Sequence, residues 1–204
     1  MKKLSSIEIH LSLDTVVKIC PALFQKGVLL KVNVGITVND LLLEQLNLEK
    51  VYINKRITTI FLNGKPVDNI DKAIIENYDT IALSASMPGL LGATLRRDSY
   101  LAPFRGTITF REHINHHTRS LGYIHLKLFN TISQEIGPIL LQKGIIIDLK
   151  EFIRPLNFNF FKKENPRIFL NEKEIHFNEF RELQSKGKQK TVLTVRGSTF
   201  RVQG

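Results

Sequence analysis

Short blocks of this sequence occur twice in the same order, and this constrains the fold more than any bulk property does. Ile9-His10-Leu11 with Leu13 returns as Ile124-His125-Leu126 with Leu128. Residues 21–27 (PALFQKG) return as 138–144 (PILLQKG), each followed by an apolar run. Ile60-Phe61-Leu62-Asn63 returns as Ile168-Phe169-Leu170-Asn171, with Val67 and Ile175 at matching distances. Blocks repeated in order imply one structural unit built twice rather than a single large core. The expected organisation is a first domain over 1–88, a connector over 89–121 and a second domain over 122–204. The offset between copies falls from 117 at Pro21/Pro138 to 108 at Ile60/Ile168, so the second copy has the shorter middle.

Within the first copy, Ile7, Ile9, Leu11 and Leu13 alternate with polar residues, as in a half-buried strand. Residues 28–34 read as a second strand, after a connecting stretch punctuated by Pro21 and Gly27. Thr37 reads as an N-cap, with Val38, Leu41, Leu42 and Leu46 at helical spacing behind it. Residues 58–62 form a third strand closed by Asn63-Gly64, a tight-turn signal, and residues 65–67 return. Residues 80–84 make the last strand. In the second copy, 124–129, 144–147, 167–170, 173–177 and 191–195 read as strands, and Asp148-Leu149-Lys150-Glu151 as a capping box. The expected cores hold Ile9, Leu11, Val38, Leu41, Leu42, Phe61 and Ile81, and then Ile124, Leu126, Phe152, Phe169 and Val192.

The order strand, strand, helix, strand, short strand, strand predicts an α+β chain of two tandem β-grasp, or ubiquitin-like, domains. Leu128-Phe129-Asn130-Thr131 after an alternating strand resembles the opening of the small subunit of molybdopterin synthase. Residues 61–67 (FLNGKPV) and 77–83 (NYDTIAL) resemble that family and the thiamine sulfur carrier. The resemblance covers most of residues 7–92 and, more weakly, 122–197. It implies a sulfur-carrier or cofactor-assembly role resting on a C-terminal Gly-Gly tail, because only glycines leave a tail free of side chains. This sequence has Gln203 where the penultimate glycine is required. Gly204 is therefore not expected to be a working thiocarboxylate terminus.

A hydrophobic fraction of 43% suffices for packed cores, and a formal charge of +10 favours an anionic partner. The single cysteine, Cys20, excludes an internal disulfide and reads as buried and inert. No apolar run approaches a membrane span, and a cytoplasmic location without membrane insertion is expected. No nucleophile elbow, phosphate loop, dinucleotide fingerprint or catalytic carboxylate pair stands out, so no enzyme activity, cofactor or catalytic residue is expected. His113, His116 and His117 have partial zinc-ligand spacing but lack a well-placed further ligand, and no metal is expected.

Residues 86–119 have no counterpart after the second copy. They mix apolar and aromatic residues with arginines, a composition of interface cores and anion sites rather than of flexible linkers. Leu90, Leu91, Tyr100 and Phe104 are the candidate apolar anchors of a partner-binding surface. Arg96, Arg97 and Arg105 are its candidate charges, and burial between the domains is the competing role. The reading is a non-catalytic binding or adaptor protein, a subunit of a larger protein assembly. Two alternatives remain: the sulfur-carrier role, and an RNA-binding module suggested by the basic charge. Against RNA, lysines and arginines are spread along the chain rather than gathered in an aromatic-interleaved patch.

Overall fold

The computed structural model describes residues 4–106, 108–110, 118–149, 164–185 and 190–197. Its elements run β1 (Ser5–His10), α1 (Leu13–Lys26), β2 (Val28–Val34), β3 (Ile36–Thr37), α2 (Val38–Asp40), α3 (Lys50–Arg56), β4 (Thr59–Leu62), β5 (Lys65–Pro66), β6 (Ile74–Ile75), β7 (Thr80–Ser84), α4 (Gly89–Leu95), β8 (Ser120–Phe129), α5 (Asn130–Lys143), β9 (Ile145–Asp148), β10 (Ile168–Leu170), β11 (Lys173–Ile175), α6 (Phe177–Ser185) and β12 (Lys190–Arg196). At 38% helix and 33% strand the chain is mixed α+β. Contacts divide it into two compact units: a contiguous unit, Leu29–Ile132, and a split unit formed by Met1–Val28 with Ser133–Gln203. These are not the sequential halves that the repeat suggests.

The reason lies in the first strand of each copy. In the split unit β1 runs parallel to β12, the last strand of the second copy, with Ile7 opposite Leu193. In the contiguous unit β8, the first strand of the second copy, runs parallel to β7, the last strand of the first, with Leu126 opposite Ile81. The opening strand of each repeated stretch thus pairs with the closing strand of the other. Ile9 and Leu11 are thus buried in the split unit, while Ile124 and Leu126 are buried in the contiguous one.

The split unit orders its strands β11-β10-β1-β12-β9. The stretch expected to be a connecting segment is instead helix α1. Val16, Ile19, Cys20, Leu23 and Phe24 are buried at the i, i+3, i+4, i+7, i+8 spacing of one helical face. Ser12 caps it, its Oγ accepting from Thr15 N, and Glu164 accepts from both the Ser12 and Thr15 hydroxyls. A carboxylate there also faces the positive end of the helix dipole. Helix α5 is its counterpart: also 14 residues, with Pro138 where α1 has Pro21, and a following Gly144 at φ +95° where α1 has Gly27 at φ +99°. Both glycines have a positive φ that a residue with a Cβ rarely adopts, so glycine ends the helix there at little cost. The two helices touch at Gly137, where a Cβ would lie 2.8 Å from Cys20 Sγ and 3.1 Å from Phe24 Cε2.

The contiguous unit orders its main strands β2-β8-β7-β4-β5, with a separate ribbon of β3 and β6. Thr37 caps α2 in a full capping box: Thr37 Oγ1 accepts from Asp40 N at 3.0 Å, and Asp40 Oδ2 accepts from Thr37 N at 3.1 Å. The turn Asn63-Gly64 has positive φ at both residues (50° and 78°), as a type I′ hairpin demands. Asn171 and Glu172 repeat this between β10 and β11 at φ 47° and 71°. Val38, Leu41, Leu42, Ile60, Leu62, Ile81 and Leu83 are buried in this core. Three expected core residues, Phe61, Phe169 and Val192, are only half-buried, because their strands turn Ile60, Ile168 and Leu193 inward instead. Phe152, the Lys150 and Glu151 of the expected capping box, and the three connector histidines lie outside the described residues.

Candidate functional site

The connector packs on the contiguous unit and carries its own short elements, α4 and a 3-10 turn over Ala102–Arg105. Gly92 in α4 admits no side chain, since a Cβ would come within 2.2 Å of the Met87 carbonyl oxygen. The turn onto α4 is therefore tight. Thr94 Oγ1 donates to the Leu90 carbonyl at 2.8 Å, a back-bond within the same helix.

Two arginines fix this segment from inside. Arg97 is 9% exposed; its Nη2 donates to the carbonyls of Ile53 (3.1 Å) and Ile57 (2.8 Å), and its backbone N–H to the Thr58 carbonyl at 2.8 Å. Those carbonyls lie at the end of α3, where no further turn of helix supplies a donor. A cation there also faces the negative end of the helix dipole. Burial away from water pulls the Arg97 pKa below its ordinary value, opposed by the fields of Asp98, Asp68 and Asp71. Arg105 is 3% exposed. Its Nε donates to the Thr94 carbonyl at 2.6 Å, one Nη2 bond reaches the Arg96 carbonyl at 3.3 Å, and Nη2 also pairs with Asp68. Arg105 thereby ties the end of α4 and the 3-10 turn to the loop that follows β5.

By composition alone, all three arginines group with the apolar anchors as partner contacts. Arg97 and Arg105 are instead interior: backbone carbonyls hold both and Asp68 pairs with Arg105, while the buried Arg97 Nε has no hydrogen-bond partner. Arg96 is exposed, with a hydrogen bond to Ser86 Oγ. The four apolar candidates point outward: Leu90 is 76% exposed, Leu91 72%, Tyr100 87% and Phe104 83%. The arrangement offers large apolar side chains on a backbone held by buried charge.

Elsewhere, Cys20 is buried in the α1–α5 contact, which pushes its thiol up to about 12. Among the described residues no group of three or more His, Cys, Asp or Glu is placed to hold a metal ion, and no helix is long and apolar enough to cross a membrane. Comparison of the chain with protein-family models, curated proteins and solved structures finds no match.

Proposed function

We propose that this chain is a non-catalytic binding module, a subunit of a larger protein assembly, which docks a protein partner through Leu90, Leu91, Tyr100 and Phe104. The observation that carries this reading is the combination of high exposure with a fixed backbone. An apolar group on a loose loop loses conformational freedom on binding; one held by Arg97 and Arg105 has already given it up. Aromatic and leucine side chains left in water are also what interface centres are made from. Arg96 stands at the margin, where a carboxylate of the partner would meet it.

In this reading both copies are β-grasp units that have traded their first strands, and their ancestor resembles the small subunit of molybdopterin synthase. The apolar connector then supplies a docking role that the carrier family fills with its tail. The test is quantitative cross-linking of the native complex with the full chain and with a Leu91→Ser, Phe104→Ser double variant. Loss of one stoichiometric protein partner from the variant is the expected result. Retention of that partner, with the variant folded, would discard this surface. An intact mass showing sulfur in place of oxygen at a terminal glycine would favour the carrier role instead.

A further inference from the structure

The outward side of the main sheet in the contiguous unit gathers residues that lie far apart in the sequence. Along β8, Ile124, Leu126 and Leu128 are buried, and Tyr123, His125 and Lys127 alternate with them on the other side. Of these His125 is exposed, and the other two half-exposed. Lys127 lies opposite Ala82 of β7, and Ala82 lies opposite Phe61 of β4. An aromatic ring and an ammonium thus flank a residue whose side chain is a single methyl. On the other flank of β8, Lys31 of β2 is exposed between the buried Leu30 and Val32. At the end of the face Tyr78 stacks on Tyr123, with centroids 5.9 Å apart and planes 19° from parallel.

Two features make this more than an ordinary sheet surface. The five strands read VLLKVNV, TIFL, KP, TIALS and SLGYIHLKLF, without a single aspartate or glutamate. Lys31 and Lys127 make no ion pair among the described residues. Asp79, just before β7, spends its carboxylate on Asn63 Nδ2 and the Glu76 N–H, each at 2.7 Å. Tyr78 sits at φ +67°, a left-handed backbone that a bulky residue adopts only under compulsion. Its N–H donates to the Tyr123 carbonyl at 2.6 Å, and Asn77 Oδ1 accepts from Tyr123 N at 2.8 Å, so the strained turn is what brings the two rings together.

We infer that this face binds single-stranded RNA, with bases lying on Tyr78, Tyr123 and Phe61 and phosphates reached by Lys31 and Lys127. Unpaired bases offer flat π-faces for which aromatic side chains on a sheet are the complementary surface. The lysines supply the sequence-independent part of the affinity by releasing counterions. An acidic peptide would satisfy the lysines but leave the flat rings unused. This surface is separate from Leu90, Leu91, Tyr100 and Phe104, so the two proposals fail independently.

The test is fluorescence anisotropy of a labelled single-stranded RNA of about 12 nucleotides with the full chain. A Lys31→Glu, Lys127→Glu variant should weaken binding at least tenfold. The alanine pair at the same positions should flatten the slope of log affinity against log salt by about 1.4, at about 0.7 per lost phosphate contact. Tyr78→Ala should weaken binding several-fold without changing that slope, and Leu90→Ser with Leu91→Ser should leave binding unchanged. Circular dichroism establishes that each variant is folded, and the alanine pair stands in if the glutamates unfold the unit. The proposal is overturned by no binding at low salt, or by wild-type affinity in both lysine variants. It is equally overturned if polyglutamate, duplex RNA or single-stranded DNA binds tenfold tighter than the single-stranded RNA.

Discussion

The two units use arginine in opposite ways. In the split unit Arg196 and Arg167 stand on the outward side of the sheet and are neutralised there. Arg196 Nε donates to Glu8 Oε2 at 3.2 Å, His10 Nε2 meets Glu8 Oε1 at 2.8 Å, and Arg167 pairs with both oxygens of Glu174 at 2.9 and 3.2 Å. Arg167 also lies over the Phe169 ring. In the contiguous unit Arg97 and Arg105 are inside, and on the sheet Lys31 and Lys127 make no ion pair among the described residues. The outward arginines of the split unit thus carry their own counter-charges. The face whose lysines stand open beside aromatic rings is the one to which we assign RNA. Both surfaces assigned a binding role above belong to the contiguous unit.

The largest effect expected from breaking this contrast is at Arg105. Arg105→Ala leaves the Thr94 and Arg96 carbonyls unserved and Asp68 without its cation, and should destabilise the contiguous unit by about 3 kcal/mol in urea unfolding. A cost below about 1 kcal/mol would mean that its charge is not structural. Next comes Gly137 in the split unit. Gly137→Ala drives a methyl into Cys20 and Phe24 and should cost about 1–3 kcal/mol. Adding Cys20→Ala should recover part of that, and strict additivity of the two losses would refute the contact. The smallest effect is at the surface pairs. Arg196→Gln should change stability by less than about 1 kcal/mol, because the pair is exposed and screened. Its hydrogen bond from His10 and its contact with Arg196 hold the Glu8 carboxyl below its ordinary 4.5. A carboxyl with a lowered folded pKa stabilises above its ordinary value and loses that contribution as pH falls through the lowered one. The wild type should therefore lose its small advantage over Arg196→Gln on acidification below pH 4.5, and a gap that widens there would contradict the pairing.

Much of the local structure was legible in the residues. The alternation through Ile7 and Ile9, the Thr37 cap and the Asn63-Gly64 turn are short-range signals, and each is where the sequence puts it. Helix α1 was equally visible in Val16, Ile19, Cys20, Leu23 and Phe24. Pro21 and Gly27 hid it, because proline inside a helix and glycine at its end look alike as punctuation. The pairing of β1 and β8, each with the closing strand of the other copy, was not legible: alternation specifies which side of a strand is buried, not which strand lies beside it. The site divided along the same line. Leu90, Leu91, Tyr100 and Phe104 are exposed, whereas the fate of Arg97 and Arg105 depends on carbonyls and a carboxylate supplied by other parts of the unit. Lys31 and Lys127 sit almost a hundred residues apart in the sequence, so no linear scan gathers them onto one surface.

The pairing of β1 with β12 sets an order of events during synthesis. Ser5 and Thr191 share a side-chain hydrogen bond across 186 residues. At ordinary elongation rates the partner of β1 emerges roughly 10–40 s after β1 itself. Over that interval Ile7 and Ile9 have no native strand to cover them, while the whole of Leu29–Ile132 has already left the ribosome. The contiguous unit can thus be finished before the split unit begins, and β1 is the segment a nascent-chain chaperone would have to guard. Slow closure of so distant a contact also makes the split unit the natural rate-limiting step of refolding.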